Sequence, residues 1–518
     1  MARQGTVEGS RLRIGRRAYR TVVVPPFTEN LNAPTVALLE GFLKAGGAIV
    51  AAGPPPERVD GVVSDRGPAL ATRVGWKTVE AADVPAALAA RQGDGFAIVR
   101  RAGDRGILFH HRRQVEGGEL LLLVNASIES RSAGTVEAVA GGAEEWDPAT
   151  GQIRTTPFER TARGVRVPFD LPEAGSLLVR LTKATLPPSA PAGERLVAID
   201  AASPPAVRRV GPNVLVLDYL DVRAGGESRE RTYFYQASQF GFQKNGVERN
   251  PWDSAVQFRD ELIRRAFPAG SGVEATYRFT LKDRVPARLS VVVERPDLYT
   301  ITCNGRPVAA SKGQWWLDRA FGRIDIAAAA RVGENEVVLK ASPFTMQHEL
   351  ESAYLLGDFA VDAAASGFVA SAERPLALGA WNTQGHPFYS QGVAYTQRFA
   401  VAKPSGTYRV RLGRWLGSVA TVTVNGTPAG EIYSSPWTLD VTKLVRAGSN
   451  DVEVTVVGTL KNTLGPHHGN PPLGSAWPSM FQKAPIPGPP PGANYSTVGY
   501  GLFEPFALVQ AVTTGLQK

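Results

Sequence analysis

Two stretches of this chain repeat one another, and that repeat constrains the fold more than any other feature. Asn304-Gly305 in "YTITCNGRPV" is matched by Asn425-Gly426 in "ATVTVNGTPAG", 121 residues later. Asp325, Gly333 and Asn335 are matched by Asp440, Gly448 and Asn450, each 115 residues later. A near-constant offset over several landmarks marks duplicated modules. Asn-Gly accepts positive φ at both positions and so makes a tight hairpin. The Gly-x-Asn turn precedes a strand of alternating valines, which packs one face across a sandwich. The chain is therefore expected to be mainly β, with two jelly-roll β-sandwiches at 205–365 and 366–518. The first is expected to carry a helical insertion, "WDSAVQFRDELIRRAF", at 252–267.

Upstream the pattern differs. "YRTVVVP" is a continuous β-branched run, the mark of a strand covered on both faces. "APTVALLEGFLKAGG" carries helical spacing and stops at Gly46-Gly47, and "AIVAAGPPP" is the next strand. Together they make one βαβ unit, so residues 1–105 are expected to form a small flavodoxin-like α/β piece. A further helix is expected over 82–93 and a strand in "FAIVRR". The glycine pair ends its helix, whereas a phosphate-cradling loop needs glycines at a helix start, so nucleotide binding is rejected. Residues 106–183, with turns such as "DPATG" and the alternation of "VRVPFDL", predict a small antiparallel sandwich. The proline-rich "ATLPPSAPAGE" marks 184–204 as a linker.

A net charge of +9 raises the question of nucleic acid. No run of five basic residues and no nucleic-acid motif accompanies it, so that partner is not expected. A lone cysteine, Cys303, excludes an intrachain disulfide and any cysteine-based zinc site. No apolar stretch approaches the length of a membrane span. The start "MARQGTVEGSRLRIGRR" lacks the apolar core of an export signal. His110-His111 lie on a strand, one to each face, with no third ligand apparent, and His467-His468 likewise lack a partner set. No metal and no cofactor is expected.

Four stretches carry a family resemblance: "VVVPP…TVALLEGFLKAGGAIV", "WWLDRAFGRIDI", "HELESAYLLGDFAV" and "NTLGPHHG". In this order they resemble the C-terminal, post-barrel region of α-L-rhamnosidase-like enzymes of glycoside hydrolase family 106. The "VNG…LDVT" vocabulary resembles galactose-binding-like jelly rolls. The resemblance runs from about residue 12 to about residue 510. It implies a catalytic (β/α)₈ barrel upstream of the matching region, with glutamates on its loops. No such barrel fits here, since only about the first hundred residues are α/β and a barrel needs at least ~200. The chain is thus expected to be a truncated reading of a gene or a separately encoded accessory half, its parent protein periplasmic or secreted. The expected partners are a polysaccharide or oligosaccharide and a catalytic barrel absent from this chain.

Three functions follow. The first is an accessory region that supports a barrel or binds a glycan. Sugar binding by a sandwich uses aromatic rings and hydrogen-bonding groups, for which Trp381, Tyr389, Trp415, Trp437, His467 and His468 are candidates. Trp381 with Tyr389 leads, because "WNTQGHPFYSQG" is turn-forming and polar. The second is an O-glycosyl hydrolase whose carboxylates meet at a domain junction. Its candidates are Glu349 and Glu351, with His467 and His468 beside them. Spaced two apart on a strand, the glutamates face one side, whereas glycosidase carboxyls grip a bond from opposite sides. A polar strand edge is therefore the favoured reading of the pair. The third is a non-enzymatic adhesive array of sandwiches. In "LGPHHG" Pro466 stops the preceding strand, leaving His467 and His468 on a stiff corner that orders a domain interface.

Overall fold

Asn304 and Gly305 adopt φ of 49° and 76°, and Asn425 and Gly426 adopt 52° and 79°, so both dipeptides turn hairpins in the left-handed region. In the computed structural model, which describes residues 4–89, 95–148, 150–188, 194–253, 256–469, 471 and 477–513, the remaining landmarks resolve into one buried clamp built twice. Asn304 Nδ2 donates to Asn335 Oδ1 at 2.8 Å, and Asn335 Nδ2 closes the turn on the carbonyls of Arg331 and Gly333. Asn425 Nδ2 donates to Asn450 Oδ1 at 3.0 Å, and Asn450 Nδ2 donates to the carbonyls of Arg446 and Gly448. Asp325 and Asp440 each accept the amide two residues on, from Ala327 and Thr442. Buried polar groups must be paired, and these asparagines pair the turn carbonyls that would otherwise be stranded. The repeat is a device of folding.

The chain divides into two units, Met1–Pro191 and Ala192–Lys518. In the first, three parallel strands, Thr21–Val24, Ala48–Ala52 and Trp76–Val79, form a sheet with the fully buried middle strand at its centre. Helix Ala33–Lys44 covers it with Val36, Leu39, Phe42 and Leu43, capped by Asn32, whose side chain accepts Thr35 N. An antiparallel sandwich follows, its two sheets closing over Leu121, Val136, Val167 and Val179. Strand Ala97–Arg100 pairs with Ser132–Ala138 of that sandwich, so the sandwich begins before the expected 106. Phe96 and Ile98 carry the strand there by packing into the sandwich core. The helix expected over 82–93 is a 3₁₀ turn, Ala81–Asp83, running into Val84–Ala89; 90–94 lie outside the described residues.

The second unit holds two sandwiches, and the sequence order of their strands is nested. Glu194–Ile199 pairs with Ala507–Thr513, and Ala206–Arg209 pairs with Val393–Val401. Both early strands therefore belong to the second sandwich. The first sandwich occupies the strands from Asn213–Leu217 to Phe368–Ala372 and is inserted between these two early strands and the rest of the second sandwich, which resumes at Val393–Val401. The expected boundaries at 205, 365 and 366 shift accordingly, and part of the expected 184–204 linker is a strand; 189–193 lie outside the described residues. Each sandwich has its own core, one around Tyr277, Val291 and Leu355, the other around Tyr395, Val422 and Val454.

The helical insertion also differs from expectation. The longest helix of the first sandwich is Phe234–Lys244, burying Ala237, Phe240 and Phe242. Between 252 and 267 there are only short pieces, Pro251–Asp253, Val256–Phe258 and Arg259–Ile263, with 254–255 outside the described residues.

Candidate functional site

The corner "LGPHHG" turns inward. Gly465 adopts φ 93°, where a side chain is strained, and this throws His467 and His468 into the protein interior. His467 is 5 % exposed and its Nε2 bonds Asn462 O at 2.9 Å. Burial drops its pKa to about 4, so the ring is neutral at pH 7. His468 Nε2 lies 3.0 Å from Asp218 Oδ2, and Tyr495 donates its hydroxyl to Asp218 Oδ1 at 3.1 Å. Asp218 lies in the first sandwich and the histidine in the loop leaving the second, 250 residues apart. The His468 ring packs edge-on against Tyr219, Tyr233 and Tyr495. Lys461 completes the corner by donating to Ser496 O at 2.8 Å and to Pro466 O; burial pulls its pKa down to about 8. This is a strut between the two sandwiches of the unit, and with both rings buried and engaged neither His467 nor His468 is a sugar contact.

An open cleft of about 320 Å³ lies above that strut, walled by Asp218, Asp221, Arg231, Arg278, Ser366 and Tyr495 among others. Local backbone irregularity shapes it. The pairing of Tyr219–Ala224 with Glu227–Tyr233 slips between Leu220 and Val222, and Arg231 takes φ 48°. Such bulges re-aim side chains. Here Asp221 accepts both Arg231 N at 2.8 Å and Arg278 Nε at 2.9 Å. Arg231 reaches Ser366 Oγ, and Arg278 also donates to Glu336 at 2.8 Å. The result is an alternating set of donors and acceptors, the pairing that a polyhydroxylated ligand can match.

Glu349 and Glu351 lie elsewhere on the first sandwich, in the loop preceding strand Ala353–Gly357 and not on a strand. Alternation still holds: His348 and Leu350 are buried, and the glutamates share the other side in a narrow crevice. Tyr299 and Tyr277 donate to the carbonyls of Glu349 and Glu351, and Asn250 Nδ2 donates to the Glu349 carboxylate. Burial pushes both carboxyl pKa values up, that of Glu351 well up, with Glu349, Glu294 and Asp253 adding repulsion to Glu351. The crevice, which Glu294 also lines, amounts to about 10 Å³, the space of about one water. No sugar ring enters it.

Trp381 and Tyr389, the leading aromatic pair, are not ligand platforms. They are 1 % and 0 % exposed. Trp381 Nε1 donates to Tyr395 Oη at 2.8 Å, and Tyr389 Oη accepts the amides of Val210 and Gly211 while donating to Gly392 O. Their turn-rich neighbours shape a loop that folds inward over the second core. Trp415 and Trp437 are half-buried and meet edge to face at 5.3 Å on the flank of that core. His110 stacks on Phe96. Among the described residues no group of three or more His, Cys, Asp or Glu side chains is placed to hold a metal ion, and no helix is long and apolar enough to cross a membrane. Sequence reasoning missed Asp218 and Tyr495. The signal for the first was present, an acid closing the apolar run "NVLVLDYL".

No family model matches the chain. Over 93 residues it is 33 % identical to a putative beta-glucuronidase of Formosa agariphila, covering 17 % of this chain and 8 % of that protein. Among solved structures, it is similar to a rhamnosidase from Novosphingobium sp. PP1Y, with 17 % identity, a TM-score of 0.46, and coverage of 98 % of this chain and 35 % of that one. It is also similar to the Streptomyces avermitilis alpha-L-rhamnosidase complexed with L-rhamnose, with 12 % identity, a TM-score of 0.25, and coverage of 81 % and 40 %. The chain thus spans well under half the length of each of these proteins.

Proposed function

We propose that this chain is the accessory, carbohydrate-binding region of an α-L-rhamnosidase-like glycoside hydrolase, acting beside a catalytic barrel carried elsewhere. The observation that carries the accessory reading is the crevice at Glu349 and Glu351. Its carboxyls stand on one loop around a space for about one water, whereas glycosidase pairs flank a bond roughly 5–10 Å apart. The cleft over Asp221, Arg231 and Arg278 is where a sugar would lie, and Trp415 with Trp437, which do not line the cleft, would form a separate aromatic contact on the second sandwich. The family side of the proposal rests on the four sequence stretches that resemble α-L-rhamnosidase-like enzymes.

The test has two arms. The chain is incubated with an aryl α-L-rhamnoside, where no turnover is expected; turnover abolished by Glu351→Gln would sink the accessory reading. Binding of rhamnose-containing oligosaccharides is then measured by calorimetry. Arg278→Ala, which removes an exposed side chain, is expected to weaken that binding about tenfold, the scale of a lost charge-assisted hydrogen bond. Unchanged affinity would remove the cleft from the proposal.

A further inference from the structure

We infer that a second groove, between the two sandwiches of the C-terminal unit, binds the oxyanion group of an acidic glycan, a uronate carboxylate or a sulfate ester. It opens to about 630 Å³ where the chain leaves edge strand Ala206–Arg209 of the second sandwich and enters the first. Five guanidinium groups line it, those of Arg208, Arg209, Arg284, Arg288 and Arg374, against two carboxylates, Asp358 and Glu373.

Those carboxylates are already engaged. Asp358 takes a bidentate pair from Arg288 at 2.7 and 2.8 Å, and Glu373 pairs with Arg209. Arg374 and Arg208 are held from outside the groove by Asp362 and Glu453. Five arginines against four carboxylates leave one positive charge uncompensated, and it falls on Arg284. That side chain is exposed and makes no hydrogen bond or ion pair among the described residues. Arg208, Arg288 and Arg374 remain 50–74 % exposed and can reach a ligand, whereas the Arg209 side chain is 8 % exposed and fixed over the Tyr389 ring. A planar guanidinium fork fits carboxylate and sulfate oxygens two at a time. A neutral sugar would leave the charge on Arg284 unanswered.

The inference relies on the carbohydrate reading only in naming a glycan as the carrier of the oxyanion. Affinity electrophoresis of the full chain in polygalacturonate, dextran sulfate and neutral rhamnogalactan gels tests it. Arg284→Ala/Arg288→Ala is compared with Arg163→Ala/Arg319→Ala, which removes the same charge from exposed positions outside the groove. The groove pair is expected to weaken binding to an acidic gel at least about tenfold, and the control pair less than about twofold. Retardation by polygalacturonate alone identifies a carboxylate, and by dextran sulfate alone a sulfate. Equal weakening by both pairs would reduce the effect to overall charge and overturn the inference. Retardation by the neutral gel without either acidic one overturns the groove and leaves the cleft standing. Acidic retardation through Arg284 without neutral binding does the reverse.

Discussion

Replacing His468 by alanine is expected to destabilise the contact between the two sandwiches by about 3–5 kcal/mol, the cost of breaking a buried ion-paired or hydrogen-bonded charge. The size follows from the surroundings of Asp218. Its side chain is 6 % exposed, and its two oxygens have one donor each, His468 Nε2 and Tyr495 Oη. Without the imidazole, Oδ2 loses its donor inside an aromatic box of Tyr219, Tyr233 and Tyr495. A neutral group stranded in this way costs about 1–3 kcal/mol, and a charged one more. Losing the ring's packing adds to it.

The decisive comparison is with a second substitution. Asp218→Leu in the His468→Ala background removes the stranded carboxylate and leaves only the neutral Tyr495 hydroxyl without its acceptor, a smaller cost than a stranded charge. The double variant is therefore expected to be more stable than His468→Ala alone, by at least about 1 kcal/mol. Since a chain of several units does not unfold in one step, the measurement is native-state hydrogen exchange at the amides of Tyr219–Ala224, alongside urea unfolding followed by tryptophan fluorescence. A loss below about 1 kcal/mol in His468→Ala, or a double variant less stable than the single one, would refute the strut.

Three further outcomes are expected. Glu351 has a folded-state pKa raised above its ordinary 4.5, so its protonated form is favoured by folding; the stability this confers is complete below pH 4.5 and is lost as pH rises through the raised value. Glu351→Gln should flatten that decline in a pH series of melting curves, and an unchanged slope would contradict the burial of the carboxyl. Asn335→Ala and Asn450→Ala should each cost about 2–4 kcal/mol, because each deletes a side chain that satisfies several turn groups, and the two values should agree within about 1 kcal/mol since the clamps are equivalent. Trp381→Ala should lower stability by about 3–5 kcal/mol while leaving oligosaccharide affinity at any folded concentration unchanged, whereas Trp415→Ala should affect binding more than melting temperature.

What was legible in the sequence was local. Asn304-Gly305 and Asn425-Gly426 announce their conformation because positive φ at two successive residues excludes almost every other dipeptide. The continuous "VVV" run and the capped helix after Asn32 are likewise set within a dozen residues. The helix Phe234–Lys244 escaped because its polar face of Gln236, Gln239 and Gln243 dilutes the apolar spacing. Trp381 and Tyr389 were misjudged for a related reason. Turn-forming neighbours report the path of the backbone, and a loop of that path can fold over a core as readily as over a ligand.

What was not legible depends on pairings far apart in the chain. Ala206–Arg209 joins Val393–Val401 across nearly two hundred residues, and nothing in "AVRR" distinguishes that partner from a strand of the nearer sandwich. The nesting has a physical consequence. Both ends of the first sandwich are tied to the second, through Asn213 Nδ2 on the carbonyl of Gly385 and through the pairing of Arg209 with Glu373. An inserted domain held at entry and exit by short connections cannot swing freely, and the His468–Asp218 bond adds a third tie at a distance from both in sequence. The arginine groove is walled by residues from before, within and after the insertion, and the cleft by the insertion together with Pro489 and Tyr495 from the segment after it, so both shapes depend on that rigidity. Loosening the strut should therefore weaken ligand binding at both sites together, even though His468 lines neither.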